Sequence, residues 1–351
     1  MDTPAKSRNL NLDLLKLIAC TAVIGLHIHI KHDSTVARTL YYLCTFGVPV
    51  FFMTTGYLLL DRQHFSASYI FRKLCSILRV TVLWSIIAAL VKMAASLVLA
   101  GSLERNPVVE VLRVLYLGLQ DQGIMFVMWY LGALFLIYLT LPAVSRLLRG
   151  EDGSTSTRRM LLLWGALALL IVASRIVSLL IGRMLQNRVW LTYRIWTYWQ
   201  FLLLGCLLKR LQPTVEQRLT IRAHLWLTVL LSALAAAEFV CIKRFYIENA
   251  WGSTAYDSLA MILWTSSMFT LVCRLKPGTK TKALVSQLAP LTMGVYLVHP
   301  IFIEIGDVLL QRLSLSGFAV TECYYLCILL LSFPTAWIIK KLPGGRLLTS
   351  L

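Results

Sequence analysis

Lys16 and His27 are the first residues in the chain whose types and spacing suggest chemistry, and both fall in the apolar run Leu12 to Ile30. At about 100° per residue, eleven steps return to within about 20° around a helix, and they separate the two by about 16 Å along its axis. One helix face then offers a cation near one membrane surface and an imidazole deeper in. A neutral imidazole, with a free pKa of about 6.5, can take a proton from a hydroxyl or carry an acyl group itself. His27 is too short to reach an interface, and ionisable groups at bilayer depth are costly, so its position calls for a reason.

Other buried charges have simpler explanations. Lys16 and Arg79 lie about a turn from the membrane surface and can extend to it. Lys92 and Arg175 can do the same, or pair with Glu238. His29, His32 and Asp33 continue an H-x-H-x-x-H-D string. His27 and His29 point to different helix faces, however, and His32 is beyond the helix end, so no metal site is expected.

The elements that must position these residues follow from composition. Of 351 residues, 58% are hydrophobic and 14% are charged. A soluble domain carries about 25% charged residues, and a bilayer span needs roughly 20 apolar ones. The first apolar run follows a basic segment, as in a signal peptide. It is longer than a usual signal core and lacks a small-x-small cleavage site, so it reads as a retained first helix. The eight cysteines form no C-x-x-C pair, which points to buried thiols and away from metal or disulfide roles.

Ten helices are expected, near 12–30, 40–60, 74–100, 126–146, 160–182, 194–209, 221–242, 257–274, 285–310 and 321–341. The 34 Lys and Arg give a net charge of +18. Four of these cations (Lys16, Arg79, Lys92 and Arg175) lie well inside the spans, away from their ends. The other thirty divide twenty to ten, and the richer side holds both ends of the chain. Small basic clusters between apolar runs are topological charge and not a nucleic-acid surface. The fold class is therefore an all-α integral membrane protein with about ten transmembrane helices and both termini cytoplasmic, residues 1–351 forming a single membrane domain. Gly101 to Gln122 is the longest outer connection, with a short amphipathic helix starting at Pro107. Gly150-Glu-Asp-Gly-Ser-Thr-Ser-Thr is expected to be a flexible inner loop. Gly47-Val-Pro49 suggests a kink, and Thr55-Gly56 close helix packing.

Several stretches, taken together, resemble the membrane-bound acyltransferase family three. Asn11-Leu-Asp-Leu-Leu-Lys16, ten residues and His27 are similar to the family's first helix, where Lys16 stands in place of the usual Arg. Phe46-Gly-Val-Pro-Val-Phe-Phe-Met-Thr-Thr-Gly56-Tyr-Leu-Leu resembles G-V-P-x-F-F-x-x-S-G-Y-L, with Thr55 replacing Ser. Met128-Trp129-Tyr130-Leu131, Trp199-Gln-Phe-Leu-Leu-Leu-Gly205 and Gly294-Val-Tyr296-Leu-Val-His299-Pro300 resemble later family motifs in family order. The family's R-x-x-R pair at the third helix is absent. Arg72, Lys73 and Arg79 supply cations there, and the positions nearest the pair are Lys73 and Ser76.

The resemblance implies transfer of an acyl group, commonly acetyl from acetyl-CoA, to a hydroxyl of an envelope glycan or a lipid-linked sugar acceptor at the cell membrane. It places His27, with Lys16, at the chemistry. Arg72, Lys73 and Arg79 would hold the phosphates of the acyl-CoA. His299, Glu304 and Trp129 would face the acceptor, with Glu304 available to orient an imidazole. Each has a structural alternative: His299 beside Pro300 as a helix kink, Glu304 facing water, and Trp129 as an interfacial aromatic. No bound metal and no permanently held cofactor are expected, and the only other partner is membrane lipid. Two other classes remain open, a transporter of amino-acid-like molecules with the same membrane fold and a scaffold for envelope assembly. Glycan mass spectrometry of deletion cells would separate them from the enzyme.

Overall fold

The computed structural model describes residues 9–30, 34–62, 65–103, 105–242, 256 and 258–351. His32 and Asp33 of the histidine string, and the cations Lys6, Arg8, Lys31, Lys243 and Arg244, lie outside the described residues. The helices are α1 (Leu10–His29), α2 (Thr35–Cys44), α3 (Gly47–Leu59), α4 (Ala67–Ala100), α5 (Pro107–Leu119), α6 (Met128–Leu148), α7 (Thr157–Leu180), α8 (Ile195–Arg218), α9 (Ile221–Cys241), α10 (Leu259–Arg274), α11 (Thr279–Leu288), α12 (Thr292–Arg312), α13 (Phe318–Lys341) and α14 (Gly345–Thr349).

Each of the ten expected runs meets a helix or helix pair. Eight spans among the described residues are long and apolar enough to cross a membrane. The first is α1, and α2 with α3 form one further span, as do α11 with α12. α8 is absent from those eight, and α10 is apolar but only 16 residues long.

α1 starts where Asn9 caps it, the side-chain oxygen accepting from the Asn11 and Leu12 amides at 3.1 and 3.2 Å. Asn11 then donates to the Cys273 and Leu275 carbonyls at 2.8 and 3.0 Å, tying the start of α1 to the end of α10. Arg274 reaches the Leu219 carbonyl at 2.7 Å, so the α8–α9 turn lies there too. Lys209 and Arg210 of α8 hold Asp61, just past α3, at 2.6 and 2.7 Å. Lys73 at the start of α4 donates to the Leu351 carbonyl at 2.9 Å. Residues 9–11 and 345–351 thus share one end of the bundle. At the other end His29 pairs with Glu322 of α13 at 2.9 Å, and Arg175 pairs with Glu238 at 3.2 Å.

α1 is the central helix. Its span is 67% buried, against 17% for α7 and for α13, whose leucines face outward. The chain breaks at Thr45–Phe46 between α2 and α3, and Pro49 falls in the first turn of α3, where its missing N–H costs no bond. Gly56 of α3 and Gly205 of α8 mark a close crossing: a Cβ on Gly56 would lie 1.9 Å from the Leu202 oxygen, and one on Gly205 2.0 Å from the Met53 oxygen.

Three expectations need correction. Residues 150–156 form an ordered turn, bridged Arg149 to Thr155, with Gly153 at φ 74° and Asp152 accepting from the Ser154 amide at 3.0 Å. Cys75, Cys241, Cys323 and Cys327 are exposed, because α4, α9 and α13 turn those faces outward; all eight thiols are free. Lys92 pairs with Glu110 at 3.2 Å, not with Glu238, because α4 packs on α5.

Candidate active site

His27 lies in the last turn of α1 and lines a cavity of about 700 Å³ at the His29 end of the bundle. The walls come from Val48 and Phe51 of α3, the α5–α6 connection, Trp129 and Tyr130 of α6, residues 187–194 before α8, Tyr256, and Tyr296 and Ile303 of α12. The size suits a small-molecule ligand, for which roughly 300–1,000 Å³ is usual.

His299 stands beside His27, with ring centroids 5.8 Å apart and planes inclined by 25°. It is fully buried. Its Nδ1 lies 3.1 Å from the Val295 carbonyl, which can only accept, so Nδ1 carries a proton. Its Nε2 has no partner. Phe126 packs on His27 at 4.4 Å and on His299 at 6.4 Å. Tyr296 lies 6.0 Å from His299 and donates to the Val127 carbonyl, fixing α12 against the start of α6. Trp129 is buried, lines the cavity and stacks on Tyr198 at 5.8 Å. His29 points elsewhere, its Nδ1 at 2.7 Å from the Gly25 carbonyl and its Nε2 on Glu322. Among the described residues no group of three or more His, Cys, Asp or Glu could hold a metal.

The remaining expected residues are not in this cavity. Lys16 pairs with Asp13 at 3.6 Å toward the opposite end. On α4, Arg72 is exposed, Lys73 is bound to the Leu351 carbonyl, and Arg79 donates to the Ser350 carbonyl at 3.3 Å. Trp84 donates to the Leu348 carbonyl at 2.9 Å, so residues 345–351 lie along this basic face. Glu304 is a correction. It does not orient an imidazole but lines a separate, largely apolar groove of about 610 Å³ with Lys92, Arg105, Glu110 and Arg312. Five residues from His299 is about 500°, or some 140° around the helix, which turns Glu304 to the other face.

Two cavity residues were not singled out from the sequence. Asp121 follows α5 at φ 64° and is exposed onto the cavity. Burial of the carboxyl among its neighbours pushes it up to about 7, with Arg194 pulling the other way. Arg194 is 5% exposed, its Nε donates to the Val189 carbonyl at 2.9 Å, and one terminal nitrogen has no partner. Asp121 lies in a connection and Arg194 at the very edge of an expected helix, where charge is ordinary. Arg194 is one of the ten cations on the poorer side of the charge bias.

The helical bundle defines a multi-pass membrane protein, and its cavity is lined by a histidine. Residues 9–341 match the family model described as an acyltransferase domain, the third family of that kind, and the chain belongs to it. No curated protein and no solved structure matches the chain.

Proposed function

We propose that this membrane acyltransferase is an O-acyltransferase of the cell membrane. It would move an acyl group, acetyl in the simplest case, from cytosolic acyl-CoA to a hydroxyl of an envelope glycan or lipid-linked sugar. The observation that carries the reading is His27, a basic nitrogen in a ligand-sized cavity, backed by the buried His299. Family membership supplies the acyl chemistry.

In direct transfer, neutral His27 accepts the proton of the acceptor hydroxyl as its oxygen attacks the thioester carbon. The new C–O bond forms, the C–S bond breaks, and His27 returns the proton to the departing thiolate. In the covalent alternative, His27 first takes the acyl group, releasing CoA thiol, and then passes it to the hydroxyl. His299 acts through His27: the stacked, buried ring restricts how the His27 imidazole can turn. The bias of twenty cations to ten supports a cytoplasmic position for the Lys16 end and for both termini. Acyl-CoA would then approach Lys16, Arg72, Lys73 and Arg79, and the acceptor would enter the cavity from the opposite side.

The test is acyl transfer by purified, monodisperse protein. His27→Ala and His27→Gln should insert and fold normally, because neither adds a charge to the bilayer. Both should lose transfer by about 10²–10⁴, the usual cost of a missing general base. Near wild-type product from either folded variant would end the catalytic assignment. Acyl label retained on denatured wild-type protein but not on His27→Gln would select the covalent route.

A further inference from the structure

The cavity holds a charge that the proton transfer does not use. Arg194, before the first turn of α8, is 95% buried by its 5% exposure, and one of its terminal nitrogens has no hydrogen-bond partner. Among the described residues no carboxylate comes within ion-pair distance of it. Taking a cation out of water costs several kcal/mol. Asp121 acts on Arg194 only from beyond ion-pair distance, so the unpartnered nitrogen leaves a place for an anion supplied from outside. Its Nε bond to Val189 fixes the fork in place, which suits carboxylate or phosphate recognition.

We propose that Arg194 receives an anionic group on the acceptor, so that the cavity selects a hydroxylated molecule bearing a carboxylate or phosphate over a neutral sugar. This rests on the acyl-transfer reading for the identity of the ligand as acceptor. Arg194 and His27 line the same cavity, so one molecule can place its anion at the first and a hydroxyl at the second. Trp190, Tyr41 and Tyr256 give the aromatic walls on which a sugar ring can lie.

Asp121 is the nearby acid that modulates this site. Its carboxyl is held up to about 7, so below neutral pH it carries little charge and leaves Arg194 to the ligand. Above that pH it ionises and repels an anion. Gln120 and Gln122 flank it and do not titrate. Arg194, Tyr256 and Tyr296 face it electrostatically, and His27, Tyr41 and Tyr130 are the other titratable groups on the cavity wall.

The experiment is calorimetric titration of the full-length protein in detergent, without acyl-CoA, with methyl glucuronide, glucose 6-phosphate and methyl glucoside. At about pH 6 one or both anionic probes should bind about ten-fold or more tightly than the glucoside, a charge-assisted hydrogen bond being worth that much. The favoured probe shows whether carboxylate or phosphate is read. Arg194→Gln should bring the anions down to the glucoside, and Arg194→Lys should retain part of the preference. Between about pH 6 and 8 binding of methyl glucuronide, whose carboxylate stays ionised throughout, should weaken in the wild type and stay flatter in Asp121→Asn, which isolates Asp121 from His27. Equal binding of all three sugars would overturn the proposal. So would an anion preference that survives in folded Arg194→Gln, or CoA alone displacing the favoured anion. Because binding is read without a donor, an intact anion preference with no acyl transfer would sink the proposed function and leave this inference standing.

Discussion

The two ends of the bundle treat positive charge differently. At the Lys16 end several of the described cations are held by the fold. Lys16 is on Asp13, Lys209 and Arg210 on Asp61, Arg274 on the Leu219 carbonyl, and Lys73 and Arg79 on the carbonyls of residues 350–351. At the His27 end Arg194 is buried with an unpartnered nitrogen beside a cavity. Charge at the first end closes the fold, and the exposed Arg72 and the unpartnered Nε of Arg79 remain for a ligand. At the second end Arg175 is paired with Glu238, and the proposal keeps the free nitrogen of Arg194 for a ligand.

The sharpest test of that contrast pairs a variant from each end. His27→Gln should abolish turnover, by about 10²–10⁴, with thermal stability unchanged. Next in size, Arg72→Ala with Lys73→Ala should raise the apparent KM for acyl-CoA about ten-fold and leave that for the acceptor alone. A change confined to the acceptor would remove the donor from this end. Deleting residues 345–351 should act in the opposite direction on the donor, lowering its KM a few-fold, because Lys73 and Arg79 lose their carbonyl partners. Melting curves would show a lower midpoint for the same deletion, since Trp84 loses its acceptor as well.

Smaller effects separate the two acids. Burial tends to raise the Asp61 carboxyl, but hydrogen bonds from Lys209 and Arg210 outweigh it and hold the group below its usual 3.8. Its stabilising contribution is therefore complete above about pH 4 and is lost as pH falls through the lowered value. Asp61→Asn should cost about 1 kcal/mol at neutral pH, with the gap to wild type closing in acid. Asp121 has the reverse sign. The folded protein holds its proton up to about 7, so the wild type loses stability relative to Asp121→Asn as pH climbs from 3.8 toward 7, then no further. A stability gap between these two proteins that is flat with pH would remove Asp121 from the cavity's electrostatics.

The helices were legible because apolar runs of bilayer length leave few alternatives. The criterion failed for α8 because Lys209, Arg210, Glu216 and Arg218 lie in its second half, and for α10 because it is short. His27 was legible because an imidazole is conspicuous in an apolar helix. Its neighbour His299, on α12, could be connected to it only through the family motif, since no local spacing links the two. Glu304 was misplaced because sequence proximity to His299 was read as spatial proximity, against the helical period. Asp121 and Arg194 were missed because charge in a connection or at a helix edge is ordinary, and only the fold shows that these segments roof a cavity. The direction of a short loop depends on the packing of the helices it joins, which periodicity does not encode.

The Gly56–Gly205 crossing also has a consequence in time. Gly205 is synthesised about 150 positions after Gly56, and at about 5–20 residues per second α8 reaches the bilayer many seconds after α3. During that interval the notch at Gly56 has lipid, or a chaperone, where the Leu202 backbone will later sit. A larger residue at either glycine would therefore be met first by the cell's quality control. Its expected phenotype is a low steady-state level of protein, with normal specific activity in the fraction that completes the crossing.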